Sequence, residues 1–113
     1  MIMACLFCKI ISGEIPSKKV FEDDMMLVFW DIHPAAPVHV LCIPKIHIDS
    51  LDDIGASNIG YVSHIFEKAP EIAKSLGLFA GYRIVANVGE DGGQSVGHLH
   101  FHMLGGRKLI NLG

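Results

Sequence analysis

The chain has 113 residues, 50% of them apolar and 19% charged, with a net charge of −3 when the histidines are neutral. That length fits one domain over residues 1–113 with one modest core, and the apolar share excludes a disordered chain. Scattered lysines and arginines argue against a nucleic-acid polymer as partner. No apolar run approaches the roughly 20 residues of a membrane span, and Met1 to Phe7 carries no secretory signal, so a soluble cytoplasmic protein is the expectation.

In chain order, a short helix fits around residues 6–12 and ends at Gly13. "KVFEDDMMLVFWDI" reads as two apolar runs joined at Asp23-Asp24, a hairpin signal. "HPAAP" (33–37) is a loop, because each proline holds its predecessor extended. "VHVLCIP" (38–44) is nearly all apolar, as a central strand should be. Ile59, Val62, Phe66, Ala69, Ile72 or Ala73, and Leu76 recur at helical spacing, with Ser57 as the N-cap and Gly77 as the terminator. Pro70 costs about 3 kcal/mol in a helix interior, so a kink or two helical pieces are expected there. Strands at 81–89 and 98–104 flank the glycine-rich loop "GEDGGQSVG". The sum is an α+β domain, a five-stranded and mainly antiparallel sheet carrying one main helix, with a short N-terminal helix.

The stretch "HLHFHML" concentrates the chemistry. On a strand, His98, His100 and His102 share one face, roughly 6.5–7 Å apart, while Leu99, Phe101 and Met103 face the long helix. A solvent-facing strand ordinarily recruits Thr, Lys, Glu or Gln rather than three histidines. Three imidazolium groups at this spacing would repel, so some must be neutral, the form a nucleophile or metal ligand requires. The preceding loop carries Gly89, Gly92, Gly93 and Gly97 around Gln94 and Ser95, a composition that can bring backbone N–H groups and a hydroxyl to an anion. Three cysteines argue against a disulfide framework, since the count is odd and only Cys5 and Cys8 are close. The Cys5-Leu-Phe-Cys8 spacing points instead to a metal or redox role.

"GGQSVGHLHFHMLGG" resembles the signature of the histidine-triad (HIT) nucleotide-binding proteins, His-φ-His-φ-His-φ-φ with φ apolar. "FCKIISGEIPSKKVFEDD", "FWDIHPAAPVHVLCIPKIH" and "GYRIVANVGEDGGQSVGHLHFHMLGGR" are similar to the Hint branch of that family, whereas the terminal "KLINLG" matches no motif. The resemblance implies a homodimer with the two sheets joined into ten strands. It also implies a purine-nucleotide hydrolase or transferase, a phosphoramidase acting at the α-phosphorus of nucleoside phosphoramidates or acyl-adenylates.

Residue by residue, His100 then stands where the nucleophile forms a covalent nucleotidyl-imidazole, and neutral imidazole suits that role. His102 would steady charge on the phosphate oxygens, His39 would orient the nucleophile, and Ser95 would pass a proton to a departing amine. Asp31 would accept the ribose hydroxyls, Phe29 and Ile32 would flank the base, and Asn87, Gly93 and Gln94 would lie by the phosphate. Without the resemblance, His39 reads as a satisfied core histidine and Asp31 as a strand-end aspartate. Some HIT proteins with such an N-terminal pair bind zinc, which here implies a closed structural site of Cys5, Cys8, His47 and His98, with no cofactor needed for catalysis. Two other classes stay open. One is a zinc hydrolase with His98 and His100 on one catalytic metal and His39 as third ligand; the other is a non-catalytic adenosine-nucleotide-binding scaffold that signals through partners.

Overall fold

Alternation of apolar side chains on both faces of a central strand requires cover on both sides, and the molecule is layered accordingly. The structure, a computed structural model, describes residues 5–112. Helix α1 (Leu6–Ser12) precedes strands β1 (Lys19–Glu22), β2 (Met26–Trp30) and β3 (Val38–Pro44). A single 3-10 turn (Leu51–Asp53) leads to helix α2 (Ile59–Ser75), followed by β4 (Tyr82–Val85) and β5 (Phe101–Gly105). The five strands form one sheet in the order β1-β2-β3-β5-β4, and every neighbouring pair is antiparallel.

Met26, Val28, Val40, Cys42, Phe101 and Met103 point to the face that α2 covers with Val62, Ile65, Ala69, Ile72 and Ala73. Leu27, Phe29, Leu41 and Ile43 point to the opposite face, which Phe7 and Ile10 of α1 cover. His39 and His102, alternating with Val40 and Met103, therefore lie on the α1 side. The β1-β2 hairpin turns at Asp23, whose carboxylate accepts the N–H groups of Met25 and Met26 at 2.9 Å each.

Four expected boundaries are corrected. The cap of α2 is Asn58 rather than Ser57. The Asn58 amide ties down the preceding loop, accepting from Gly55 N–H at 2.8 Å and donating to Asp53 O at 3.0 Å. Helix α2 continues through Pro70 as one element rather than two pieces. Val62, Ile65 and Ala69 before the proline, and Ile72 and Ala73 after it, bury in the same core cluster. Strand β4 is shorter than 81–89, ending at Val85 where the chain turns into the glycine loop. Strand β5 begins at Phe101 instead of residue 98. Its partner strand closes at Pro44, which has no N–H to donate, and the Pro44 carbonyl is taken by the His98 ring at 3.0 Å. No helix among the described residues is long and apolar enough to cross a membrane.

Candidate active site

The three alternating histidines are separated by which ring nitrogen each has engaged. His100 Nδ1 lies 2.7 Å from the His98 carbonyl oxygen. A carbonyl can only accept, so Nδ1 carries the hydrogen and the neutral ring keeps its lone pair on Nε2. His39 is the mirror case: its Nδ1 accepts the Ala35 N–H at 3.0 Å, so its hydrogen is on Nε2. That Nε2–H lies 2.9 Å from His102 Nδ1 and 3.5 Å from Asp31 Oδ2. His102, accepting at Nδ1, presents an Nε2–H donor. Asp31 is itself anchored, accepting the His33 N–H at 2.7 Å. The chain Ala35, His39, His102 is thus a directional relay with a carboxylate beside it.

Burial keeps this relay neutral. His102 is pushed down to about 4, first by burial and then by repulsion from His100 and His39, with Asp31 opposing. His39 is also held below the usual imidazole range, by burial against the opposing pull of Asp31. Phe7 packs edge-on to the His100 ring at 5.2 Å between centroids and to Phe29 at 5.5 Å.

A cavity of about 530 Å³ opens on this side of the sheet. His100, His102, Asp31 and Ser95 border it, and its apolar wall comes from Leu6, Phe7 and Ile10 of α1 together with Phe29, Ile32 and Leu41. Ile32 is 86% exposed and free to close over a bound group. Trp30 stands at the same opening, with the Lys18 ammonium 5.8 Å from its ring centroid.

A second cluster lies at the other end of the histidine row. One ligand atom from each of Cys5, Cys8, His47 and His98 falls within 4.8 Å of the others. Cys5 Sγ is 3.3 Å and Cys8 Sγ 3.6 Å from His98 Nδ1, and Cys8 Sγ is 3.2 Å from His47 Nδ1. Both rings have Nε2 engaged outside the cluster, His98 on Pro44 O at 3.0 Å and His47 on the Asp49 carboxylate at 2.6 Å. Each therefore leaves a bare Nδ1 turned to the sulfurs, the arrangement by which outer partners orient metal-binding histidines. Tetrahedral zinc with bonds of about 2.0 and 2.3 Å would hold N and S about 3.5 Å apart, close to what these contacts span. Burial, then Cys5, pushes the Cys8 thiol up to about 11. These four residues fit a structural zinc ion. Asp31, His39 and His102 also converge, but His39 Nε2 carries a hydrogen and is no ligand.

Comparisons with known proteins agree with this geometry. The family described as "Scavenger mRNA decapping enzyme C-term binding" matches residues 4–110. Protein HitA of Neisseria gonorrhoeae is 48% identical over 101 residues, covering 89% of this chain and 94% of HitA. A histidine triad protein from Clostridium difficile superposes with a TM-score of 0.93 at 51% identity, over 100% of this chain and 99% of that one. The chain belongs to the HIT family. A HIT family hydrolase from Legionella pneumophila Philadelphia 1 is similarly close, with a TM-score of 0.90, 48% identity, and coverage of 94% and 96%. These matches support a HIT hydrolase and nucleotide-binding protein.

Within the HIT fold, the structure brings His100, His102, Ser95, Asp31, Phe29 and Ile32 to one cavity, with His39 bonded to His102 behind it. It does not bring Asn87, Gly93 or Gln94 there. Asn87 Nδ2 donates to Gly92 O at 2.7 Å, Gly93 N–H donates to Glu90 O at 3.0 Å, and Gln94 accepts from Gly89 N–H while donating to Asp49 O at 2.7 Å. These groups stitch the loop that carries Ser95. The loop needs its glycines: Gly93 has φ 78°, and a Cβ at Gly92 would collide with the Val88 carbonyl. Of the pair His98 and His100, His98 Nδ1 faces the thiols while His100 Nδ1 is hydrogen-bonded to the main chain. Sequence reasoning missed Leu6, Phe7, Ile10 and Trp30 as cavity wall, although the i, i+4 spacing of Leu6 and Ile10 on a short helix was the available signal.

Proposed function

We propose that this chain is a purine-nucleotide hydrolase and transferase of the Hint branch, cleaving nucleoside phosphoramidates or acyl-adenylates at the α-phosphorus through a nucleotidyl-histidine intermediate. The observation that carries this reading is the hydrogen bond from His100 Nδ1 to the His98 carbonyl at 2.7 Å, which leaves Nε2 as a free nucleophile on a residue bordering the cavity. In the first step the Nε2 lone pair forms a bond to the α-phosphorus. The phosphorus–nitrogen bond breaks, its electrons leave with the amine, and the exposed Ser95 hydroxyl relays a solvent proton to that nitrogen. Water then attacks phosphorus, the bond to Nε2 breaks, the lone pair returns to His100, and the water proton goes to solvent.

His102 Nε2–H donates to a phosphate oxygen as charge develops there, and the His39 donor behind it holds its orientation. Asp31 retains lone pairs for ribose hydroxyls beyond the one that accepts the His33 N–H, and Phe29 with Ile32 encloses the base. A structural zinc on Cys5, Cys8, His47 and His98 would supply a fixed cross-link, and no chemical step passes through it. Homodimerisation through a sheet edge accords with β4 being an edge strand with Phe79 and Tyr82 exposed beside it. A cytoplasmic setting accords with the free thiols of Cys5, Cys8 and Cys42.

The test is incubation with adenosine 5′-phosphoramidate, with ammonia and AMP measured as products. Release of both is expected, and at saturating substrate it should persist after chelation. Nucleotide binding without turnover would favour a scaffold, and loss of kcat on chelation would favour a metal-bound hydroxide.

A further inference from the structure

The two clusters share a wall. Cys5 and Cys8 bracket Leu6 and Phe7, and these two residues, with Ile10 one turn later, form the α1 side of the cavity. Cys5 also caps the helix, its Sγ accepting the Cys8 N–H at 3.2 Å, so one sulfur both starts α1 and faces His98. The Phe7 ring touches both systems, lying edge-on to His98 at 5.9 Å and to His100 at 5.2 Å. His98 belongs to both as well, with its ring among the thiols and its carbonyl on His100 Nδ1. The first turn of α1 is therefore joined to the end of β3 and to the segment before β5 through Cys5, Phe7, Cys8 and His98.

From this arrangement we propose that occupation of the Cys5-Cys8-His47-His98 cluster by zinc sets the affinity of the cavity for its nucleoside. The Leu6-Phe7 segment is the mechanical link, and metal and nucleoside bind with positive cooperativity. The inference rests on the nucleotide-binding reading of the cavity. Its physical basis is that a short helix of 7 residues has little stability of its own. Without the metal cross-link, the first turn samples other positions, and the nucleoside must re-order Leu6 and Phe7 when it binds. With the cross-link in place, that ordering is already complete. Linkage makes the effect reciprocal: a nucleoside that holds Leu6 and Phe7 also holds the two sulfurs in their ligating arrangement. Phe7 is on this account a positioning residue, acting on the ligand through the wall it forms and on His100 through ring contact.

The experiment uses adenosine as probe, because it lacks the phosphate that would itself chelate zinc. Its dissociation constant is measured by calorimetry on the zinc-loaded protein and on the same protein after chelation. Zinc affinity is then measured by competition with a chromophoric chelator, with and without saturating adenosine. The expected result is adenosine binding tighter by roughly tenfold in the zinc-loaded form, and zinc binding tighter by the same factor when adenosine is present. Phe7→Leu should retain zinc affinity and shrink that common factor toward one. Equal adenosine affinity in the two forms, or a chain that retains no zinc, overturns the coupling. If adenosine binds neither form, the nucleotide reading itself fails, and the coupling fails with it.

Discussion

The two ends of the histidine row present opposite ring nitrogens. At the cavity end, His100 has Nδ1 pinned to a main-chain carbonyl and keeps Nε2 bare. At the cysteine end, His98 and His47 have Nε2 pinned, to the Pro44 carbonyl and the Asp49 carboxylate, and keep Nδ1 bare. Burial drives His98 and His102 alike down to about 4, so protonation does not distinguish them. The distinction comes from which acceptor the backbone brings to which nitrogen. An imidazole's function is thus decided by its outer partner more than by its place in the motif.

The sharpest way to break this comparison is His100→Ala. Turnover should fall by roughly 10⁴-fold or more while melting temperature and nucleotide affinity stay close to wild type. An active variant would return His100 to the status of a structural residue. His102→Ala removes only a donor to the developing charge and should cost about 10²- to 10³-fold in kcat.

At the cysteine end the signature should be reversed. Cys5→Ser combined with Cys8→Ser should abolish zinc content and lower the melting temperature by about 10 °C or more. The variant's kcat at saturating substrate should change much less than its stability. Equal melting curves, with no zinc in the wild type, would remove the metal from the account.

Acid should separate the relay from both. His39 and His102 are held below the ordinary value of 6.5 in the fold, so below that pH the unfolded chain takes up protons that the native chain refuses. Their contribution is fully present above pH 6.5 and is lost progressively as pH falls toward about 4. The melting temperature should drop across that window, and His102→Gln should flatten the drop. A wild-type profile that is flat from pH 6.5 to 4.5 would contradict neutral relay histidines.

The smallest effect tests the loop. Gln94→Ala loses three hydrogen bonds at a partly exposed position and should cost about 1 kcal/mol of stability, with a loss of a few-fold in turnover through Ser95. A variant with intact stability and grossly weakened nucleotide binding would make Gln94 a direct ligand.

Much of this was legible in the residues themselves. "VHVLCIP" reads as a buried central strand, and β3 spans those same residues 38–44. The alternation of Leu99, Phe101 and Met103 against His98, His100 and His102 separates the helix-facing side from the chemical side. Other features were not legible because they depend on partners distant in sequence. Nothing near His98 in the chain shows that the Pro44 carbonyl, 54 residues away, will take its Nε2. Gln94 looked available to a ligand, and only the fold brings Asp49 O to its amide, 45 residues away in sequence. Local propensity at Pro70 weighs one residue, whereas the buried face of α2 weighs the whole helix and carries it through as one element.

The central claim, that the pinned ring of His100 is the attacking group, is tested most directly by acid-quenching the protein during turnover of adenosine 5′-phosphoramidate and mapping the modified peptide by mass spectrometry. An adenylyl group on His100 is the expected result. A modification on His102, His39 or Ser95, or turnover with no covalent adduct at any time point, would contradict it.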